Sequence, residues 1–263
     1  MARVIAIANQ KGGVGKTTST LNIGAALAER HQRTLLVDMD PQGALTASLG
    51  VSTYDLEATL YSVFANPHSL LSDLIVPVRP CLDLVPANVD LAAAELNLSN
   101  RSGREFFFKY ALAPTRERYD FILIDCQPSL GLLTVNALTA ADEVIIPVQC
   151  QFLSLRGMRM LLDTIEKIRV RLNPSLELTG ILGTMYNTGT IHSQEVLEEA
   201  RKIFGAKVFN VVIKESVRFA EAPVVHKSIL EYESRHDGAA AYRRLAEVLT
   251  QDGQKESQPQ GAG

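Results

Sequence analysis

Cysteine is scarce in this chain of 263 residues: there are three, Cys81, Cys126 and Cys150, odd in number and far apart. That pattern excludes a disulfide framework and a C-x-x-C metal site, and it points to reduced thiols in an apolar, cytoplasmic core. No run reaches the roughly 18 apolar residues that a membrane-spanning helix needs. A secretory leader pattern is missing too, because strand-like Val4-Ile5-Ala6-Ile7-Ala8 begins almost at once. Neither sign of charge is in large excess: 26 Lys+Arg face 29 Asp+Glu, a net charge of -3. Residues 1–149 carry 11 basic against 15 acidic side chains and residues 150–263 carry 15 against 14. Composition therefore does not announce a nucleic-acid binder, and any such surface has to be a local patch. With 46% hydrophobic and 21% charged residues, collagenous and wholly disordered chains are excluded as well.

What is present is an alternation of short Val/Ile/Leu-rich runs and longer helical patterns. The runs predict strands over 3–8, 33–38, 82–85, 120–125, 143–148, 178–185 and 208–213. Helices are expected over 16–30, 90–98, 104–112, 131–140, 154–172, 192–204 and 238–250. Phe121-Ile122-Leu123-Ile124 and Val144-Ile145-Ile146 are apolar at consecutive positions, as in strands buried on both faces of a parallel sheet. The expected fold class is α/β: a doubly wound, mostly parallel β-sheet flanked by helices. One domain is expected over 1–250. Residues 251–263, rich in Gln, Gly, Ser and Pro, are expected to form a disordered tail. In such folds ligands sit beyond the carboxyl ends of the strands.

The first of those ends carries Asn-Gln-Lys-Gly-Gly-Val-Gly-Lys-Thr-Thr at 9–18. Gly12, Gly13 and Gly15 let successive N–H groups curl inward onto phosphate oxygens. A helix starting near Lys16 adds its positive end. Lys16 supplies charge for the β- and γ-phosphates, and the Thr17 hydroxyl is placed for Mg²⁺. The loop departs from G-x-x-x-x-G-K-[ST]: Gln10 stands where the first glycine belongs, and Lys11 follows it. A second lysine in a loop full of donors makes sense where an anion sits.

Two apolar strands end in acids, Leu35-Leu36-Val37-Asp38-Met39-Asp40 and Ile122-Leu123-Ile124-Asp125. Each Asp alone is equally compatible with capping the helix that follows. Together with the loop they are assigned to nucleotide chemistry, Asp38 and Asp125 to the magnesium shell and Asp40 to the attacking water. Later cations, among them Arg156, Arg159, Lys214 and Arg218, are candidates for a phosphate-binding surface. No helix-turn-helix pattern is present to read bases.

Lys-Gly-Gly-Val-Gly-Lys-Thr-Thr at 11–18, Asp-Met-Asp-Pro-Gln-Gly at 38–43, Ile-Asp-Cys-Gln-Pro-Ser-Leu at 124–130 and Val-Arg-Phe-Ala-Glu-Ala-Pro at 217–223 together resemble the ParA/Soj branch of the ParA/MinD deviant-Walker ATPases. The resemblance implies a slow ATP hydrolase using ATP and Mg²⁺, with the loop residues Lys11, Gly12, Gly13, Val14, Gly15, Lys16, Thr17 and Thr18 on the phosphates and Gln42 nearby. It implies a homodimer that sandwiches two ATP molecules, with Lys11 reaching the partner's phosphates. Adenine-side contacts would fall at Met185, Asn187, Ile213 and Val217, although Asn187 is also a natural turn residue after a strand. It further implies binding to non-specific double-stranded DNA, with Lys214 and Arg218 as the assigned contacts, and a ParB-like activator protein. The expected location is cytoplasmic, on the nucleoid in the ATP-bound state, without stable membrane association.

The chain departs from this branch at Gln127, where relatives commonly have proline, and at Lys214-Glu215-Ser216. The alternative is a MinD-like, membrane-recruited positioning ATPase, which would need an amphipathic C-terminal anchor. An iron–sulfur ATPase sharing the loop would need bridging cysteines, whereas Cys126 and Cys150 are expected to be core thiols.

Overall fold

The computed structural model describes residues 1–66, 69–150 and 155–256. Among them, eight strands form one sheet: β1 (Arg3–Ile7), β2 (Thr34–Met39), β3 (Val76–Arg79), β4 (Leu82–Val85), β5 (Phe121–Cys126), β6 (Glu143–Gln149), β7 (Glu177–Tyr186) and β8 (Val208–Lys214). Their order is β3-β4-β2-β5-β1-β6-β7-β8. Every neighbouring pair is parallel except β3 with β4. The expected doubly wound sheet is therefore present, with β1 at its centre between β5 and β6.

The helices are α1 (Lys16–Glu29), α2 (Ala44–Ser48), α3 (Tyr61–Ala65), α4 (Ala92–Ser99), α5 (Phe107–Leu112), α6 (Leu132–Ala140), α7 (Leu155–Arg171), α8 (Ile191–Phe204), α9 (Arg218–Val224), α10 (Ile229–Tyr232) and α11 (Asp237–Glu256). They cover both faces. Along β1, Val4 and Ala6 enter one core with Leu98, Phe108, Leu133, Leu161 and Ile165 from α4 to α7. Ile5 and Ile7 enter the other with Ile23 and Leu27 of α1 and Tyr242, Leu245 and Leu249 of α11. This two-sided burial is the physical reason β1, β2 and β5 have few polar positions. Each fully buried Val, Leu, Ile or Phe side chain among them contributes about 1.5–3 kcal/mol.

Four differences from the expectation have local causes. β3 was not expected, because Val76-Pro77-Val78-Arg79 is short and holds a proline. It pairs antiparallel with β4 at the sheet edge, where a residue lacking an N–H is tolerated. As a result Cys81 is exposed in the β3–β4 turn at φ 61°, unlike the buried Cys126 and Cys150, which corrects its expected core position. The short helices α2, α3, α9 and α10 are too brief to show a helical period. The last helix continues to Glu256, past the expected boundary at 250. The expected tail from residue 257 and the side chain of Arg156 lie outside the described residues.

Candidate functional site

The loop 8–15 joins β1 to α1 at the carboxyl edge of the sheet. Gly13 and Gly15 adopt φ 70° and 83°, a left-handed backbone that side chains rarely take. α1 then begins at Lys16 with no side-chain cap and no acidic residue in its first turn. Its N-terminal amides are left for an external anion. Neighbouring strands hold the loop in place: Thr184 Oγ1 donates to Val14 O (2.9 Å), and Asn9 Nδ2 donates to Pro147 O (2.7 Å). Val14 is buried and anchors the loop from below, while Gly12 and Gly13 face outward.

The two lysines point in different directions. Lys16 is nearly buried, and its ammonium donates to Lys11 O (3.1 Å) across the curl of the loop. Burial lowers its pKa, and the carboxylates of Asp125 and Asp40 partly oppose that shift. Lys11 is exposed at the rim, its ammonium donating to Gln149 Oε1 (2.8 Å) at the end of β6.

Asp38 and Asp125 are register partners on β2 and β5, and both are wholly buried. Burial is the main cause that pushes both pKa values up, Asp38 to about 6 and Asp125 to about 8, the latter also through the neighbouring Asp38 and Asp40 charges. Their oxygens differ. Asp38 Oδ2 accepts from Thr46 N (2.8 Å) and Thr46 Oγ1 (2.6 Å), and Oδ1 accepts from Asp40 N (3.2 Å). Asp38 thereby holds the loop that carries Asp40 onto α2. Asp40 Oδ1 accepts from Gln42 N (3.0 Å) and stays partly exposed, while Gln42 itself is exposed. Asp125 Oδ1 accepts from Thr20 Oγ1 (3.3 Å), but buried Oδ2 has no partner among the described residues. An orphaned buried carboxylate oxygen beside Lys16 and Thr17 is the chemistry a divalent cation satisfies. No group of three or more His, Cys, Asp or Glu could hold a metal by itself among the described residues. A hard cation with few protein oxygens, completing its shell with phosphate and water, suits such a site.

A cleft of about 300 Å³ continues from the loop between β7, β8 and α11, lined among others by Thr18, Met185, Ile213, Glu215 and Phe219. Met185 has φ 51°. Phe219 packs edge-on against Tyr242. Of the expected adenine-side residues, Met185 and Ile213 line this cleft. Asn187 instead closes a turn, its Oδ1 accepting from Gly189 N (2.9 Å), and Val217 is 72% exposed away from the cleft wall.

Lys214 lines the cleft and Arg218 lies beside it, but they do not form a bare cationic patch. Lys214 pairs with Asp237 (2.7 Å), and Arg218 pairs with Glu221 (2.7 Å) and Glu233 (3.2 Å). Cys126 is fully buried beside Asp125, which pushes its thiol pKa up, and burial pushes Cys150 to about 11. Neither is poised as a thiolate ligand.

Three residues that sequence patterns did not single out complete the site. Thr20 is four residues after Lys16, one helical turn, and that spacing was the available signal. Thr46 and Thr184 carry no local signal, because the chain reaches Asp38 and Val14 from other elements.

The family model described as an AAA domain matches residues 2–178. An uncharacterised protein of Mycobacterium tuberculosis is 53% identical over 94% of this chain and 78% of its own length. The sporulation initiation inhibitor protein Soj of Bacillus subtilis is 44% identical over 96% of this chain and 100% of its own. A solved structure described as cobyrinic acid a,c-diamide synthase of Mycobacterium smegmatis, with bound ATP analogue and magnesium, has a TM-score of 0.86. It is 40% identical and covers 97% of both chains. With the deviant lysine loop, the acidic strand ends and the doubly wound sheet in place, the chain belongs to the ParA/Soj-type P-loop ATPases.

Proposed function

We propose that this protein binds ATP with Mg²⁺ and hydrolyses it slowly as a dimerisation switch that positions a large cargo on DNA with a ParB-like partner. The observation that carries this reading is the contrast between the two loop lysines. Lys16 is turned into its own cradle, whereas Lys11 stands exposed at the rim on Gln149. A cation presented outward neutralises phosphate charge when a second subunit faces it, so ATP favours the paired state. The ParA and Soj names of relatives similar over nearly the whole chain support the cargo-positioning part.

In the mechanism, the amides of Gly12 to Thr18 and the Lys16 ammonium bind and orient the phosphates. Thr17 and Asp125 would hold magnesium, which supplies neutralising charge at the phosphates. Asp38, assigned to the magnesium shell from the sequence, is proposed to sit at the edge of that shell, where its hydrogen bonds to Thr46 and to the Asp40 amide fix the backbone that carries Asp40. Asp40 orients the attacking water and accepts its proton, and Lys11 of the facing subunit offsets the developing negative charge. Met185, Ile213 and the cleft beyond Thr18 receive the base, with Asn187 and Val217 at its periphery. Loss of the terminal phosphate removes the charge that Lys11 meets, and the pair separates.

For DNA, Lys214 and Arg218 are the proposed contacts. Each would exchange a carboxylate partner for a phosphate, which costs part of the gain. The polar face of α11 does not favour the membrane alternative, since Tyr242, Leu245, Ala246 and Leu249 are spent on the core. No described helix is long and apolar enough to cross a membrane. Duplex DNA binding with ATP, with ADP and without nucleotide, at two salt concentrations, tests the reading. Retention only with ATP, weakening steeply with salt, is expected. Equal retention in all three states would reject it.

A further inference from the structure

We propose that Thr20 is the positioning residue for the metal-side carboxylate: its hydroxyl holds Asp125 Oδ1 so that Oδ2 stays aimed at the cation. Thr20 and Asp125 are both 0% exposed, so their contact is not shared with solvent. Thr20 Oγ1 lies 3.3 Å from Asp125 Oδ1 and 3.0 Å from Lys16 O. The hydroxyl has one proton and two acceptors. Of the two, the carboxylate oxygen is the stronger acceptor, because hydrogen bonds to an ionised acceptor are about twice as strong as those to a neutral carbonyl. Oδ2, by contrast, makes no hydrogen bond within 3.5 Å among the described residues, and the Thr17 hydroxyl beside the carboxylate favours its ionised form. A carboxylate held at one oxygen and open at the other is fixed in rotation about its C–C axis, and rotation is what scatters a metal ligand. Hydrogen bonds behind a ligating group carry a large share of metal affinity.

The geometry also separates this role from general support of the loop. A hydroxyl serving only the backbone of Lys16 would stabilise the phosphate cradle with or without metal. One serving Asp125 sets how the carboxylate meets the metal, so its loss shows in the Mg²⁺ response. The inference rests on the nucleotide site proposed above, and its test keeps the two apart. Binding of fluorescently labelled ADP to the full chain is titrated with Mg²⁺, and in parallel without metal in chelator. For Thr20→Val, which keeps the branched shape, the Mg²⁺ concentration for half-effect should rise about 10- to 100-fold. Metal-free ADP affinity should stay within a factor of about 2, and Thr20→Ser should restore the wild-type Mg²⁺ response. If Thr20→Val does not fold, Thr20→Ala is read in the same way. An unchanged Mg²⁺ response in the valine variant, or equal weakening with and without metal, overturns the assignment. A wild-type protein whose ADP binding ignores Mg²⁺ overturns the metal-site reading beneath it.

Discussion

Asp38 and Asp125 are the same residue type, one strand apart, at matching register, yet the structure gives them different work. Asp38 accepts three hydrogen bonds, from Thr46 and the Asp40 amide, while one oxygen of Asp125 has no hydrogen-bond partner among the described residues. Burial makes both hold protons far above the ordinary carboxylate range. The sign of the consequence follows from linkage. Unfolded, Asp125 ionises near 3.8, and folded it keeps its proton to about 8. Between those values the folded state binds the extra proton, so stability from this group is full at the acidic end and lost as pH rises towards 8. The melting temperature of nucleotide-free protein should therefore fall from pH 5 to pH 8, by about 2–4 °C per kcal/mol lost. Added Mg²⁺ and ADP should stabilise more at pH 8 than at pH 6, because the cation needs the ionised form. Thermal unfolding scans across that range check both statements: a flat nucleotide-free profile would count against the buried proton on Asp125, and equal stabilisation by Mg²⁺ and ADP at both pH values would count against Asp125 as the metal ligand. At the same scale, Lys16→Ala should weaken nucleotide binding by about 3 kcal/mol or more, the cost of removing one partner of a buried charged contact. Calorimetric titration with ATP measures it.

At the scale of elements, α6 owes its start to a residue from another helix. Glu95 of α4 accepts from Leu133 N (3.3 Å) and from Gln127 Nε2 (3.1 Å). It places a negative charge at the positive end of α6 and ties down the loop that follows Asp125. Gly131 has ordinary φ of -71°, so its reason is space: a Cβ there would run into the Glu95 carboxylate. Glu95→Ala should remove about 1 kcal/mol and lower the melting temperature by roughly 2–4 °C. Gly131→Ala should cost a similar amount by displacing the same carboxylate, and a calorimetric scan of each variant decides. This contact also gives the Gln127 side chain its acceptor. Sequence patterns located all the long elements here, because strands buried on both faces and helices such as α7 write their environment into consecutive residues. Met158, Leu161, Ile165 and Ile168 repeat at helical spacing on the buried face of α7. They did not locate β3 or α9, whose few residues carry no period.

For the whole molecule, the expected behaviour is an association that ATP favours. Asp40→Ala should bind ATP and remain paired, whereas Lys11→Ala should bind ATP and remain single; light scattering with ATP separates them. Monomer alone for Asp40→Ala would reject its place at the attacking water. Arg218→Glu should leave DNA-free hydrolysis nearly unchanged and weaken ATP-dependent DNA retention. Its like charges beside Glu221 and Glu233 would add repulsion towards phosphate. A mobility shift equal to wild type would remove Arg218 from the DNA surface.

The amino-acid order alone determined the strand–loop–helix unit, the glycines that bend it, the acids at two strand ends and the doubly wound class. Those features depend on backbone preference and on burial patterns only a few residues long. Tertiary structure decided which carboxylate oxygen is open, that Thr20 and Thr46 serve different aspartates, and that Lys214 and Arg218 already have acidic partners. Glu233 is 15 residues from Arg218 along the chain, and Asp125 is 105 from Thr20. A side chain's partner is chosen by what folding brings within about 3 Å, and no local pattern records that distance.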